Sequence, residues 1–209
     1  MLGFLTQERF PRLWLLFQYI FGATRAKRRL ALQFLDNHKS VLEIGCSVGL
    51  VSEAFADKDE LHYLGIDIDE GAIEFAKSRL DHLTNLRFEA VDIQVLSERG
   101  QQFEYVLFAN ILHHTDDELS VKLLKQASKL VSPNGIMVLM EPDMLRPTDG
   151  FLIQQLYKLE RGQFRRSPDG YKNLIKAAGL ECLEIRSEDV SIDTLPGITC
   201  GHLLLFQVS

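Results

Sequence analysis

The 209-residue sequence has no two cysteines placed to act together: Cys46, Cys182 and Cys200 are far apart, odd in number and form no CxxC motif. That argues against a disulfide framework and a structural zinc site, so no metal is expected and the expected setting is the reducing cytoplasm. An excess of positive charge is also missing. Twenty-three Lys and Arg face 29 Asp and Glu, a net charge of −6, whereas grip on nucleic-acid phosphates leans on basic residues. No nucleic-acid partner is expected. Nor do residues 13–21, a nine-residue apolar run, approach the roughly 20 residues that span a bilayer, so no stable membrane insertion is expected. Glu8 before that run, and Arg25, Lys27, Arg28 and Arg29 after it, argue against a secretory signal. Phe10, Leu13, Trp14, Phe17 and Phe21 fall at helical spacing. They predict a helix packed over the domain, with a membrane-surface anchor as the lesser alternative.

What is present is ordinary globular material, 46% hydrophobic and 25% charged, enough for one domain with a buried core. No repeat, low-complexity tract or Pro/Gly-rich linker divides it. From residue 40, short apolar runs alternate with helical patterns. Strands are predicted at 40–44, 62–66, 86–91, 103–108 and 136–140, and helices at 48–56, 70–80 and 117–131. Two more helices follow near 151–160 and 168–178. Two strands come last, near 181–188 and 200–207, around the turn-like Leu195-Pro196-Gly197. This alternation specifies an α/β fold, a doubly wound, seven-stranded, mostly parallel sheet with a C-terminal antiparallel hairpin.

In such a sheet, ligands bind beyond the carboxyl ends of the strands. The first strand runs into Glu43-Ile44-Gly45-Cys46-Ser47-Val48-Gly49. A dinucleotide fingerprint wants glycine at 45, 47 and 50, and two of those positions fail. The second strand ends in Asp67-Ile68-Asp69 and the third in Val91-Asp92-Ile93. Together these segments resemble the class I S-adenosylmethionine (SAM)-dependent methyltransferases, in a pattern close to E-x-G-x-G-x-G with Ser47 in place of the middle glycine. The resemblance covers most of residues 40–141 and implies SAM as cofactor. It implies binding by Glu43, Gly45, Cys46, Ser47 and Gly49 around the methionine part. Asp67 would take the ribose hydroxyls, Ile68 would pack on adenine, Asp92 and Ile93 would meet the adenine edge, and Asn110 would complete the set. Free backbone N–H groups at the start of the helix at 48–56 would suit the cofactor's carboxylate.

The fourth strand ends in Asn110-Ile111-Leu112-His113-His114 and the fifth in Met140-Glu141-Pro142. There is no NPPY-type tetrapeptide and no lysine at the fourth strand end, which lowers the rank of DNA amine methylation. The segment resembles the N-x-L-H region of small-molecule O- and C-methyltransferases. His113 would then be a general base and Glu141 its orienting partner, since a hydroxyl is a poor nucleophile until deprotonated. The implied activity is methyl transfer from SAM to an oxygen, less readily a carbon, of a small organic molecule. The alternatives are an N-methyltransferase of a small amine, a non-catalytic SAM-binding partner protein, and an acceptor that is apolar or lipid-linked. One domain over 1–209 is expected, with a helical cap at 1–37, a SAM-binding core at 38–141, a lid insertion at 142–168 and sheet completion at 169–209. Arg165 and Arg166 read as a solvated basic turn or as a grip on an acidic substrate group, and Tyr157 and Tyr171 as pocket lining or core.

Overall fold

Seven strands form one sheet in the order β3-β2-β1-β4-β5-β7-β6. The computed structural model describes residues 11–159, 162–194 and 198–209. The turn at 195–197, Arg161 and Phe10, and the side chains of Trp14, Phe17 and Phe21, lie outside what it describes. The strands are β1 (Ser40–Ile44), β2 (His62–Asp67), β3 (Leu86–Ala90), β4 (Phe103–Ala109), β5 (Val131–Pro142), β6 (Cys182–Ser191) and β7 (Thr199–Val208). The first five are parallel, and β7 runs antiparallel to both β5 and β6. Strand order reverses between β1 and β4, so the crevice for a ligand opens above that pair.

The helices are α1 (Pro11–Phe21), α2 (Thr24–Leu32), α3 (Glu70–Leu80), α4 (Ile93–Glu98), α5 (Asp117–Leu130), α6 (Phe151–Leu159) and α7 (Pro168–Ala177). Alternate residues of the strands feed two cores. Val41, Tyr63, Tyr105 and Val138 pack on the side that includes Leu30 and Ile73. Leu42, Ile44, Phe108 and Leu139 pack on the side that includes Leu124 and Leu174. In the central strands of a sheet covered on both faces, both sets of alternating residues are buried, which is why β1 and β4 read as nearly continuous apolar runs.

Helix starts follow side-chain caps. Asp69 accepts from Ala72 N (3.0 Å), Asp116 from Leu119 N (2.9 Å) and Ser167 from Gly170 N (3.2 Å), the last followed by Pro168. Each satisfies a donor that the first helical turn leaves open.

Three expectations change. Residues 48–56 do not form an α-helix but a series of turns ending in a short 3₁₀ turn, Ser52–Phe55. Ser47 and Gly49 adopt left-handed φ values of 50° and 75°, which break the helical path, and the carbonyls of Val48, Gly49 and Leu50 accept from Arg79 and Arg28. Helix α4, absent from the sequence reading, is capped by Asp92, whose Oδ1 accepts from Gln94 N at 2.7 Å. Finally, β5 starts earlier than expected. Val131 pairs with Phe103 before an irregularity around Pro133-Asn134-Gly135, and regular pairing resumes at Ile136.

Candidate functional site

The bend after β1 is held from below by β2. Gly45 N and Cys46 N both donate to Ile66 O (2.7 and 3.0 Å), Ser47 N donates to Asp67 Oδ2 (2.9 Å) and Gly49 N to Cys46 O (2.9 Å). Gly45 has φ +70°, and a Cβ there would lie 2.2 Å from Ile111 Cδ1. Only glycine lets the end of β1 approach the turn after β4 so closely. Asp67 is partly buried at the end of β2 and also accepts from Asp69 N at 3.0 Å. Beside it, Ile68 is 77% exposed. An acid and a bare aliphatic side chain beside a glycine cradle fit a nucleoside lying over β1 and β2.

Other expected cofactor residues sit differently. Glu43 is buried beneath the bend, where Tyr63 Oη donates to its Oε2 at 2.5 Å and Ser52 Oγ at 3.3 Å. Cys46 and Ile93 are buried in the two cores. Any contact of these two with a ligand above the sheet falls to the backbone. Asp92 is exposed beyond β3 while capping α4.

Burial drives the Glu43 carboxyl up from 4.5 to about 7, and the nearby Asp67 charge adds to the rise, against the lowering effect of its two hydrogen-bond donors. The folded protein therefore holds a proton on Glu43 that the unfolded chain has released, and stability falls as pH climbs from about 4.5 to about 7. Glu43→Gln removes that titration. It is expected to flatten the decline and to leave the variant about 2–3 kcal/mol more stable than the parent near pH 8. Urea unfolding near pH 5 and pH 8 checks this, and an unchanged decline in the variant would place its source elsewhere.

The reacting end is built on β4 and β5. Glu141 and His113 are fully buried. Glu141 Oε1 accepts from Ile111 N (2.9 Å) and Leu112 N (2.8 Å), and Oε2 accepts from His113 N (3.3 Å) and lies 2.8 Å from His113 Nδ1. A carboxylate that accepts three backbone N–H groups assigns the ring proton to Nδ1. His114 is exposed, its ring 4.0 Å from that of His113. The segment after α6 covers the pair. Phe164 N donates to His113 O (3.0 Å), and a Cβ on Gly162 would lie 2.0 Å from His113 Cδ2.

Arg166 is not placed to hold a substrate acid. Its guanidinium donates to Leu112 O, Thr115 O and Phe164 O and pairs with Asp117, clamping the turn that carries His113. Arg165 donates to Tyr157 O and stacks over the Tyr157 ring. Tyr157 Oη donates to Asp143 O at 2.5 Å, and Tyr171 is buried against Phe206. Neither arginine is a loosely solvated turn residue, and Tyr171 is core.

Several features carried no sequence signal because their partners are remote. Glu53 gathers Arg28, Arg79 and Tyr19 over the bend. Asn110 has a left-handed φ of 62°, donates from its backbone to Met140 O (2.8 Å) and, with Nδ2 turned toward the same oxygen (3.2 Å), accepts at Oδ1 from Lys27 Nζ (2.8 Å). At the far edge, His202 joins Asp149 and Asp189, both at 2.7 Å, tying the segment before α6 to the β6–β7 hairpin.

A methyltransferase-domain profile matches residues 42–137, the span that holds the bend, Asp67, Asp92 and His113. That span, a little under half of the chain, is the part similar to the methyltransferase domain family. A stretch of this chain is 31% identical over 98 residues to a ubiquinone biosynthesis O-methyltransferase of Coxiella burnetii (strain RSA 493 / Nine Mile phase I), 46% of this chain and 41% of that one. A protein of the same name from Neisseria meningitidis serogroup A / serotype 4A (strain DSM 15465 / Z2491) is 27% identical over 116 residues, 52% of this chain and 48% of that one. The matches thus span less than half the length of these curated relatives. Among solved structures, mitomycin 7-O-methyltransferase superposes with a TM-score of 0.71 at 15% identity, over 90% of this chain and 53% of that one. Magnesium protoporphyrin IX methyltransferase from Synechocystis PCC 6803, with SAM bound, gives 0.60 at 14% identity, over 90% and 79%. These two likenesses establish the fold. Among the described residues no helix is long and apolar enough to cross a membrane, and no cluster of three His, Cys, Asp or Glu could hold a metal ion.

Proposed function

We propose that this protein transfers the methyl group of SAM to an oxygen of a small apolar or lipid-linked molecule, with His113 as general base and Glu141 as the residue that positions it. The observation that carries the reading is the buried His113–Glu141 pair, 2.8 Å apart on neighbouring strand ends. Glu141 holds the ring with Nδ1 as donor and leaves the Nε2 lone pair as the basic site. A hydroxyl presented to Nε2 gives up its proton there, and the oxygen becomes a competent nucleophile. Bound SAM supplies the sulfonium methyl that such an oxygen displaces in line. Because Gly162 and Phe164 lie against His113, the stretch at 142–168 acts as the lid, and an acceptor reaches the ring when its 162–164 part moves aside. An apolar acceptor suits the exposed Phe151, Met144 and Leu145 in that stretch. The curated relatives named for ubiquinone biosynthesis support the same choice.

Incubation with SAM and a matched set of acceptors tests this: a phenol with an apolar tail, the same phenol without the tail, and the tailed amine. The tailed phenol is expected to gain one methyl while S-adenosylhomocysteine (SAH) accumulates. Methylation of the amine alone would replace oxygen by nitrogen as the target. SAH binding without turnover of any acceptor would favour a non-catalytic role.

A further inference from the structure

His202 is a buried titratable side chain that the proposed methyl transfer does not use. It sits on β7 directly across from Asp189 on β6 and is only 4% exposed. Its Nδ1 lies 2.7 Å from Asp189 Oδ1, and its Nε2 lies 2.7 Å from Asp149 Oδ1. Both acids are carboxylates. The bond to His202 holds Asp189 below its usual range. For Asp149, burial pulls upward but is outweighed by the bonds from Arg146 N and His202. A carboxylate only accepts, so both ring nitrogens donate and the ring is a cation between two anions.

The bonds run on into the lid. Pro142, the last residue of β5, pairs with Leu203, next to His202, and Asp143 N donates to His202 O at 3.0 Å. The other oxygen of Asp149 accepts from Arg146 N (2.7 Å), and its carbonyl accepts from Gln154 Nε2 on α6 (3.0 Å). The Arg146 guanidinium reaches Asp189 and Ser187, both at 3.0 Å, and lies 3.8 Å from Asp143. Tyr157, near the end of α6, donates to Asp143 O. Taking one partner from a buried ion pair strands the other charge, which costs far more than losing a neutral hydrogen bond. The lid therefore has a first part, residues 143–159, fastened to β7 through His202, and a second part at 162–164 that rests on His113. The exposed Met144, Leu145 and Phe151 all belong to the fastened part.

We infer that His202 is a positioning residue for the methyl acceptor. By pinning residues 143–159 to β7 it fixes the apolar surface of Met144, Leu145 and Phe151 against which the acceptor's tail lies. This rests on the apolar-acceptor reading above and not on the role of His113. In His202→Gln the amide can donate to one aspartate but turns its oxygen toward the other. Hydrogen exchange on the full chain, read without any acceptor, is expected to quicken about 100-fold or more at the amides of Asp143, Asp149 and Gln154, with those of α3 unchanged. The kcat/KM preference for the tailed over the tailless phenol should fall about tenfold or more, through KM rather than kcat, while SAH affinity stays within about twofold. Adding Asp149→Asn sets amide against amide and should recover most of both effects. Unchanged exchange at these amides overturns the pin. Faster exchange with an unchanged tail preference overturns its role toward the acceptor, and an equal loss of SAH affinity would make His202 a support of the whole fold. A parent that does not distinguish the two phenols would count against the apolar acceptor, with the exchange result still deciding the pin.

Discussion

His113→Ala is expected to lower kcat by about 100- to 10,000-fold, the usual worth of a positioned general base, while SAH affinity changes by no more than about twofold. The two effects should separate because the proposed methionine and ribose contacts lie at the ends of β1 and β2, whereas His113 belongs to the turn after β4. Removing the ring leaves Glu141 with three backbone donors, Ile111 N, Leu112 N and the N–H of position 113, so the turn retains its anchor. The lost bond from a buried side chain costs about 1–3 kcal/mol of stability. His113→Gln supplies a control in which an amide can still donate to Glu141 without titrating. It should fold like the parent and be as slow as the alanine variant. In the parent, kcat/KM should carry the rising pH slope that a general base confers, and that slope should vanish in both variants. If either variant stays within about tenfold of the parent and keeps the slope, the acceptor loses its proton to water and His113 only shapes the cavity.

Asp67→Ala is expected to weaken SAH binding by about 100-fold or more, roughly two charge-assisted hydrogen bonds lost from a ribose. The carboxylate has a second task, since Oδ2 accepts from Ser47 N and Oδ1 from Asp69 N. Its loss would free Ser47 N, while Gly45 N and Cys46 N stay on Ile66 O, and would remove the proposed ribose contact. Asp67→Asn keeps one acceptor oxygen and should fall between the parent and the alanine variant. Calorimetric titration with SAH measures both. Affinity within about threefold of the parent in Asp67→Ala would mean that the ribose is held elsewhere.

Local chemistry made much of this readable in the sequence. The strand positions came from runs such as Val41-Leu42-Glu43-Ile44, which are apolar because both faces of the sheet are covered. The order of strand ends puts Gly45, Asp67 and Asp92 along one edge of the sheet. Residues 48–56 misled because their helical pattern competes with left-handed Ser47 and Gly49 and with carbonyls drawn away by Arg28 and Arg79. Those arginines are 20 or more residues from their targets, and no periodicity registers such a pairing. Arg166 is similar. Its composition suggests a basic surface turn, yet its side chain is only 9% exposed because it reaches back some 50 residues to Leu112 O and Thr115 O. Short-range signals report caps and strands. Long-range clamps become visible only in three dimensions.

The pairing of β1 with β4 deserves a last consequence. Four residue pairs, Val41 with Tyr105 through Ile44 with Phe108, join the strand that ends at Gly45 to the strand that leads to His113, and all eight are buried. Gly45 and His113, the proposed seats of methyl donor and proton acceptor, thus stand on adjacent rails whose relative height is set by backbone pairing. Slippage by one residue would offset the two by about 3.3 Å, several times the roughly 1 Å error that already slows a bimolecular displacement about a hundredfold. Selection for rate would therefore act on the volume of core residues such as Leu107 and Val106 as strictly as on the groups that touch the reactants.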